Sequence, residues 1–509
     1  MFYSRTILSL TILACLLFSW QTAEAESAER PNILLILVDD MGYSDLGCYG
    51  SEIETPNIDK LAAAGIKFTH FTNCAKCETT RTTLMSGRYH TEVKGNSKSF
   101  ITIPENLALA GYQNFMVGKW HIFDTPNERG FDRYFGFLEG ATNFFTGEGT
   151  GGGISYKVDE ADYEIPENFY STDFFANYAI KFIGERDKQK PFFLYLAFNA
   201  PHYPLQAPKE DVMKYRGKYT DGWEVLRKKR FQRMKELDII PKNTKLSKPE
   251  SDVRKWDSLS DDEKDNMDLR MATYAAMIDR VDQQVGRIIK KLKTESILDN
   301  TLVVFLSDNG ACPFDRTRAP TLENNYMPWD GRSYYCYPRE WANACNTPLR
   351  LYKQNQNEGG IATSMIAHWP KGISVPGTFN RQRGHLIDFH ATFRELAGAK
   401  YPTEYQGNKI GPARGISLVP SFTGKERPEH EYLYQNFADK YTAIIKGKWK
   451  LVDRKYLYDL EKDRIESNDL SKSHPEKFQE MLNEFARVDK ELNNGNAVKK
   501  ANKNSKKKK

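Results

Sequence analysis

Two pairs of oxygen-bearing residues stand directly behind apolar runs. Asp39-Asp40 follows residues 32–38 (NILLILV), and Asp308-Asn309 follows residues 301–306 (TLVVFL) with one serine between. In open α/β sheets ligands bind beyond the carboxyl ends of the strands, so residues at these points meet whatever the sheet binds. Carboxylate and amide oxygens suit a hard cation, Ca²⁺ or Mg²⁺, rather than zinc. Either pair alone reads equally well as a turn or a helix cap, because Asp and Asn dominate such positions; the two together favour a metal. A second constellation runs from Cys77 through Glu78, Thr79 and Thr80 to Arg81, and on to Leu84, Ser86 and Gly87. Taken alone, Cys77 is more often a buried apolar residue than a nucleophile. Likewise Lys119 and Lys353 alone read as solvated cations, His121 and His202 as satisfied core histidines, and Trp120 as packing.

The elements that must position these residues follow from periodicity. Runs 32–38, 192–198 (FFLYLAF) and 301–306 are continuously apolar, as expected of parallel strands buried on both faces. Helical patterns such as residues 56–64 and 271–292 separate them, which predicts an α/β fold with a mostly parallel sheet and helices on both faces. Glycine-rich residues 147–153 lack a following Gly-Lys-Ser/Thr and read as a surface loop rather than a phosphate cradle. Residues 215–264 form a charged, Trp-containing cover. Beyond about residue 427 the texture changes to short strand-like runs at 432–434, 442–445, 449–452 and 456–460, then a helix near 475–492. This predicts a small C-terminal α+β unit that leans on the main domain, since ~65 residues give only a marginal core alone.

Composition narrows the class. With 509 residues, 40% hydrophobic, 28% charged and 13% aromatic, the chain is globular, neither disordered nor collagen-like nor polytopic. Its net charge is +6, but residues 494–509 hold seven lysines and no acid, so the body carries about −1. A near-neutral body with a basic tail excludes nucleic acid as the expected partner. Arg5, a 14-residue apolar run at 7–20, and Ala23-Glu24-Ala25 match a signal peptide and are too short for a bilayer span of ~20 residues, predicting export to the periplasm or medium and no integral membrane span. Six cysteines then remain, too few for a disulfide scaffold of this size and without zinc-site spacing. The expected division is a signal peptide at 1–25, a catalytic domain at 26–427, a C-terminal subdomain at 428–493 and a disordered lysine-rich tail at 494–509.

The motifs, in their order, resemble the sulfatase family. The family carries Cys-x-(Pro/Ala)-x-Arg opening a helix after an Asp-Asp strand, and Cys77 to Arg81 matches that spacing, with Thr79 where Pro or Ala is usual. Gly118-Lys119-Trp120-His121, Gly130-Phe131-Asp132, residues 200–204 (APHYP), Ser307-Asp308-Asn309-Gly310, residues 346–353 (NTPLRLYK) and Glu358-Gly359-Gly360-Ile361 follow in family order. The likeness covers about residues 31–470 and is nearest to bacterial arylsulfatase-type enzymes. It implies an alkaline-phosphatase-like fold and hydrolysis of a sulfate monoester, with a sulfated carbohydrate as the expected substrate. It also implies one metal ion, Ca²⁺ before Mg²⁺, held by Asp39, Asp40, Asp308 and Asn309 together with the residue derived from Cys77. A formylglycine-generating enzyme or equivalent maturase would convert Cys77 to formylglycine, whose hydrate attacks sulfur. Arg81, Lys119 and Lys353 would offset the carboxylates, with Lys119, His202 and Lys353 also binding substrate. His202 and Lys353 would protonate the leaving alcohol, while His121 acts as base. Two alternatives stand beside this: a phosphomonoester or phosphonate hydrolase using the same metal cradle, and a secreted glycan-binding pseudoenzyme in which Cys77 remains a thiol.

Overall fold

The computed structural model describes residues 30–506 other than 150 and 154, with the backbone alone from 494 onward. The expected signal peptide lies outside the described residues. The main sheet has eleven strands: β1 (Asn32–Val38), β2 (Ile66–Thr72), β3 (Gln113–Lys119), β4 (Arg133–Phe137), β5 (Tyr156–Val158), β6 (Ala161–Asp162), β7 (Phe192–Ala197), β8 (Thr301–Ser307), β9 (Ala362–His368), β10 (Thr378–Asn380) and β11 (Gly384–His385). Their order is β10-β2-β9-β8-β1-β7-β3-β4-β5-β6, with β11 also on β2. The centre, β8-β1-β7-β3-β4, is parallel. β9 runs antiparallel to both β8 and β2, so the sheet is mixed but mostly parallel.

The unbroken apolar run of β1 has a direct structural counterpart. Leu34, Ile36 and Val38 enter one core layer with the helices Ser171–Glu185 and Asp261–Thr294. Ile33, Leu35 and Leu37 enter the opposite layer with Leu84, Phe389 and Phe393. Both faces of the strand are dry, so alternation with polar residues would have left unpaired groups in one core or the other.

The C-terminal unit is the antiparallel sheet β14 (Leu433–Phe437), β15 (Tyr441–Lys446), β16 (Trp449–Val452) and β17 (Tyr456–Asp459), preceded in the chain by the small hairpin β12 (Glu404–Tyr405) and β13 (Asn408–Lys409). The helix Pro475–Lys506 packs on it through Met481, Phe485, Val488 and Leu492. That helix outruns the expected end near residue 492, and residues 494–506, expected as a disordered tail, continue it in backbone. Residues 493–496 (NNGN) are poor helix sequence, so the continuation rests on turns already nucleated by packing upstream and on the lysines and alanines beyond, which are good helix formers. The charged cover at 215–264 contains the helix Gly222–Glu236 and the start of Asp261–Thr294, with 237–260 largely irregular. All six described cysteines are free thiols. Among the described residues no helix is long and apolar enough to cross a membrane.

Candidate active site

Strand register places the two acidic pairs together. β1 and β8 pair in parallel with Val38 opposite Ser307, so the next residues, Asp39 and Asp308, emerge side by side. Asp308 N–H donates to the Val38 carbonyl at 3.0 Å, and Asp40 N–H donates to Asp308 Oδ1 at 3.2 Å. On the other flank Leu37 faces Ala197 of β7, and Asp39 N–H donates to the Ala200 carbonyl at 3.0 Å, which brings the 200–204 loop to the same edge. All four residues Asp39, Asp40, Asp308 and Asn309 are fully buried. Asn309 Nδ2 donates to Asp40 Oδ1 at 2.6 Å. Asp39 Oδ1, Asp40 Oδ2 and Asn309 Oδ1 nevertheless accept no hydrogen bond. Three orphaned, buried oxygens converging on one strand edge are costly as bare acceptors and are what a hard cation satisfies.

Cys77 opens the helix Cys77–Ser86, which Gly87 closes in the left-handed region at φ 63°. Threonine-rich TTRTT is poor helix sequence, so local bonds hold it instead. The Thr79 hydroxyl donates to the Cys74 and Lys76 carbonyls at 3.0 and 2.9 Å. Thr80 Oγ1 accepts from Cys74 N–H at 3.0 Å and donates to the Asp308 carbonyl at 2.6 Å, fastening this turn to the acidic edge. A sulfur atom of Cys77 and a carboxylate oxygen each of Asp39 and Asp308 lie within 4.8 Å of one another. The thiol therefore sits at the positive end of a ten-residue helix, where an incoming anion is favoured.

Cations oppose the carboxylates one for one. Arg81 Nη2 lies 3.1 Å from Asp308 Oδ2 and 3.5 Å from Asp39 Oδ2, and its Nη1 donates to the Lys119 carbonyl at 2.8 Å. Lys119 Nζ pairs with Asp39 Oδ2, and Lys353 Nζ with Asp40 Oδ1 at 2.5 Å. Lys119 owes its position to Gly118, whose φ is 109° and where a Cβ would strike the Ala197 carbonyl of β7. Burial raises Asp39, but Lys119, His202, Arg81 and Lys353 outweigh it and hold the carboxyl well below its ordinary range. Burial and then the Asp39 charge push Asp308 the other way. Burial works against the Lys353 charge, but Asp40 together with Cys77, Cys312 and Asp39 outweighs it and raises the lysine well above its ordinary value.

The two histidines are neutral. His202 Nδ1 donates to the Tyr203 carbonyl at 2.7 Å, which leaves Nε2 facing Asp40 Oδ2 at 3.5 Å. Burial lowers His202 to about 4 despite Asp40. His121 is lowered to about 3 by burial, Lys119 and Arg81, and its Nδ1 has no partner. Asp40, Ala75, His121, Leu351 and Gln354 are non-glycine residues with φ between 52° and 73°, and all of them lie on or beside this site. Each such residue costs of order 1–3 kcal/mol, which the surrounding packing must supply.

Asp39, Asp40, Cys77, Arg81, Lys119, His202, Asp308, Asn309 and Lys353 are thus gathered at one strand edge, with His121 two residues beyond Lys119, whereas Trp120 packs against Phe131. Tyr195 was missed: its hydroxyl lies 3.4 Å from Arg81 Nη1. A single hydroxyl inside the apolar run 192–198 was the available signal. Thr80 was missed as the fastening between Cys77 and Asp308. So was Lys450, fully buried on β16, which pairs with Glu358 at 3.0 Å and Glu466 at 2.8 Å behind the loop carrying Lys353.

This arrangement can hold a divalent cation, bind a tetrahedral anion at a helix N-terminus and move protons through two neutral imidazoles. Comparison with known proteins agrees. The sulfatase family pattern matches residues 31–399. A sulfatase of Schizosaccharomyces pombe is 35% identical over 526 residues, covering 90% of this chain and 93% of its own length. The arylsulfatase of Klebsiella aerogenes is 32% identical over 441 residues, 80% of this chain and 95% of that protein. The crystal structure of Ps i-CgsB in complex with k-i-k-neocarrahexaose superposes with a TM-score of 0.66 at 29% identity, covering 90% of this chain and 93% of that one. Matched along most of its length by the family pattern and by these relatives, the chain belongs to the sulfatase family and hydrolyses sulfate esters.

Proposed function

We propose that the substrate is the sulfate monoester of a carbohydrate, cleaved at a site built from formylglycine at position 77 and one Ca²⁺ ion. The observation that carries this reading is the helix N-terminus of Cys77 set against orphaned oxygens of Asp39, Asp40 and Asn309. All are hard oxygen donors, as Ca²⁺ prefers, and Asp308 supplies a fourth. Such a cation would polarise a sulfate oxygen, and a hydrated formylglycine would supply an attacking hydroxyl together with a second hydroxyl through which the sulfated residue can be cleared, which a serine or cysteine lacks. The carbohydrate assignment rests on likeness to the protein solved with neocarrahexaose. An exported location is supported by Arg5, the apolar run at 7–20 and Ala23-Glu24-Ala25.

The chain's own residues divide the remaining work. Arg81, Lys119 and Lys353 hold the charge of the ester and keep water-borne cations out of a dry site. Lys353 Nζ carries its proton at neutral pH. The departing alcohol oxygen receives one proton, either from His202 Nε2, which is held neutral by burial and takes a proton from solvent as the anionic ester enters, or directly from Lys353 Nζ. His121 Nδ1, unpartnered and neutral, takes the proton that must leave the nucleophile's second hydroxyl when sulfate is released.

Peptide mass spectrometry of residue 77, combined with sulfate release from aryl sulfate, aryl phosphate and sulfated oligosaccharides, tests the assignment. We expect formylglycine in active enzyme, preference for sulfate over phosphate, release of sulfate from the oligosaccharides, and no turnover in Cys77→Ala. Active enzyme with an intact thiol at 77 would overturn the nucleophile.

A further inference from the structure

Beyond His202 the site wall continues as a shelf of aromatic rings and guanidinium groups. The Tyr203 ring lies tilted by 34° against the His202 imidazole with centroids 4.2 Å apart, and Tyr334 follows 6.2 Å further. Arg316 Nη1 donates to the Tyr203 hydroxyl at 2.9 Å, and its guanidinium lies 5.4 Å from the Phe314 ring. Arg318 lies 3.9 Å from the centroid of Tyr334. Both arginines are exposed while the rings beneath them are half-buried.

Two features set this shelf apart from scattered surface charge. Arg316 stands on the same segment that leaves β8 through Asp308 and Asn309, and the Ala311 carbonyl of that segment accepts from Lys353 N–H at 3.1 Å. The shelf is therefore anchored to the acidic edge at its root, and Asp40, His202, Tyr203 and Arg316 form one continuous series of contacts. The second feature is charge left over. The nearest acid in sequence, Asp315, is engaged by Arg270 at 2.7 Å, and neither Arg316 nor Arg318 forms an ion pair among the described residues. Cations stacked on aromatic rings are held in place without being neutralised, which lowers the ordering cost when they bind an anion.

We propose that Arg316 and Arg318, on the platform of Tyr203 and Tyr334, form a subsite for a second anionic group of the substrate, a sulfate or a carboxylate on the same carbohydrate. This rests on the carbohydrate reading above. The planar fork of a guanidinium matches either oxyanion in bidentate geometry. The tyrosine faces offer the apolar surface on which a sugar ring stacks. A substrate held here presents one sulfate to Cys77 and its second charge to the arginines, with the imidazole and the phenol spanning the interval.

The test uses the mature enzyme with 4-nitrophenyl sulfate as reporter, and oligosaccharides of equal length as competitors: one sulfate, two sulfates, or one sulfate with one uronate. Wild type is expected to bind the doubly anionic competitors about tenfold or more tightly than the monosulfated one, a difference that shrinks as salt rises. In the double variant Arg316→Gln, Arg318→Gln that ratio falls to near one. Which doubly anionic competitor is favoured tells sulfate from carboxylate. Absence of preference in wild type, or its survival in the variant, overturns the subsite. Because the readout is a ratio within each protein, a general loss of activity or stability does not imitate it. If the competitors bind with the expected preference but none releases sulfate, the carbohydrate-hydrolase reading fails while the subsite stands; if none competes, both fail.

Discussion

The chemistry of single residues here is set by what surrounds them. Asp308, pushed up by burial and by Asp39, is a carboxylate that a bare site cannot comfortably ionise. Asp308→Ala is accordingly expected to remove the bound metal and activity together, checked by elemental analysis of wild type and variant. Full metal occupancy in the variant would exclude Asp308 from the ligand set. His202 and His121 are both neutral, yet they face different partners: one abuts Asp40, the other carries an unpartnered Nδ1. His202→Ala should therefore cost about 10²–10⁴-fold on alkyl or sugar sulfates and far less on activated aryl sulfates, whose leaving groups need no proton. Steady-state rates on a leaving-group series measure this, and an equal loss across the series would argue against proton delivery by His202.

At the scale of elements, the loop bearing Lys353 is held from behind by the C-terminal sheet. Lys450 on β16 reaches across to Glu358, while Glu466 accepts from Glu358 N–H at 2.7 Å and Arg350 Nη1 donates to the Glu466 carbonyl at 2.7 Å. Arg464 and Arg383 also approach Glu358, at 3.3 and 3.7 Å. The small unit is thus part of the site's foundation rather than an appendage. Lys450→Met leaves two buried carboxylates short of a partner and is expected to destabilise by about 3–5 kcal/mol, read as a shift in the urea midpoint. A midpoint unchanged from wild type would show that the two units are not energetically coupled through this cluster.

For the molecule as a whole, several histidines outside the acidic edge are also buried neutral. His385 and His390 are lowered to about 3, and His90 to about 4, in each case chiefly by burial. Their folded values lie below the unfolded value near 6.5, so the unfolded chain binds more protons in that interval and stability rises with pH there. As pH falls from about 6.5 toward 4, each such histidine is expected to withdraw about 1.4 kcal/mol per pH unit. Unfolding curves across that range should show the decline, and His390→Gln should make it shallower by one histidine's share. A slope unaltered by that substitution would contradict the assignment.

Read alone, the sequence determined which residue types were available and roughly where strands ended. Continuous apolar runs such as residues 32–38 can be dry on both faces only in a covered sheet, and Asp39-Asp40 and Asp308-Asn309 mark the ends of two of them. The order of motifs from Cys77 to Glu358 likewise pointed to the sulfatase family without coordinates. Other features were invisible because they depend on register and on contacts between residues hundreds of positions apart. That Val38 pairs with Ser307, and so sets Asp39 beside Asp308, is decided by how two strands slide against each other in a common core. The role of Thr80 depends on the Asp308 carbonyl reaching it, and that of Lys450 on a small sheet docking behind a loop a hundred residues earlier. The length of the last helix escaped for the opposite reason: residues 493–496 (NNGN) read locally as a helix end, and packing farther up the same helix overrode them.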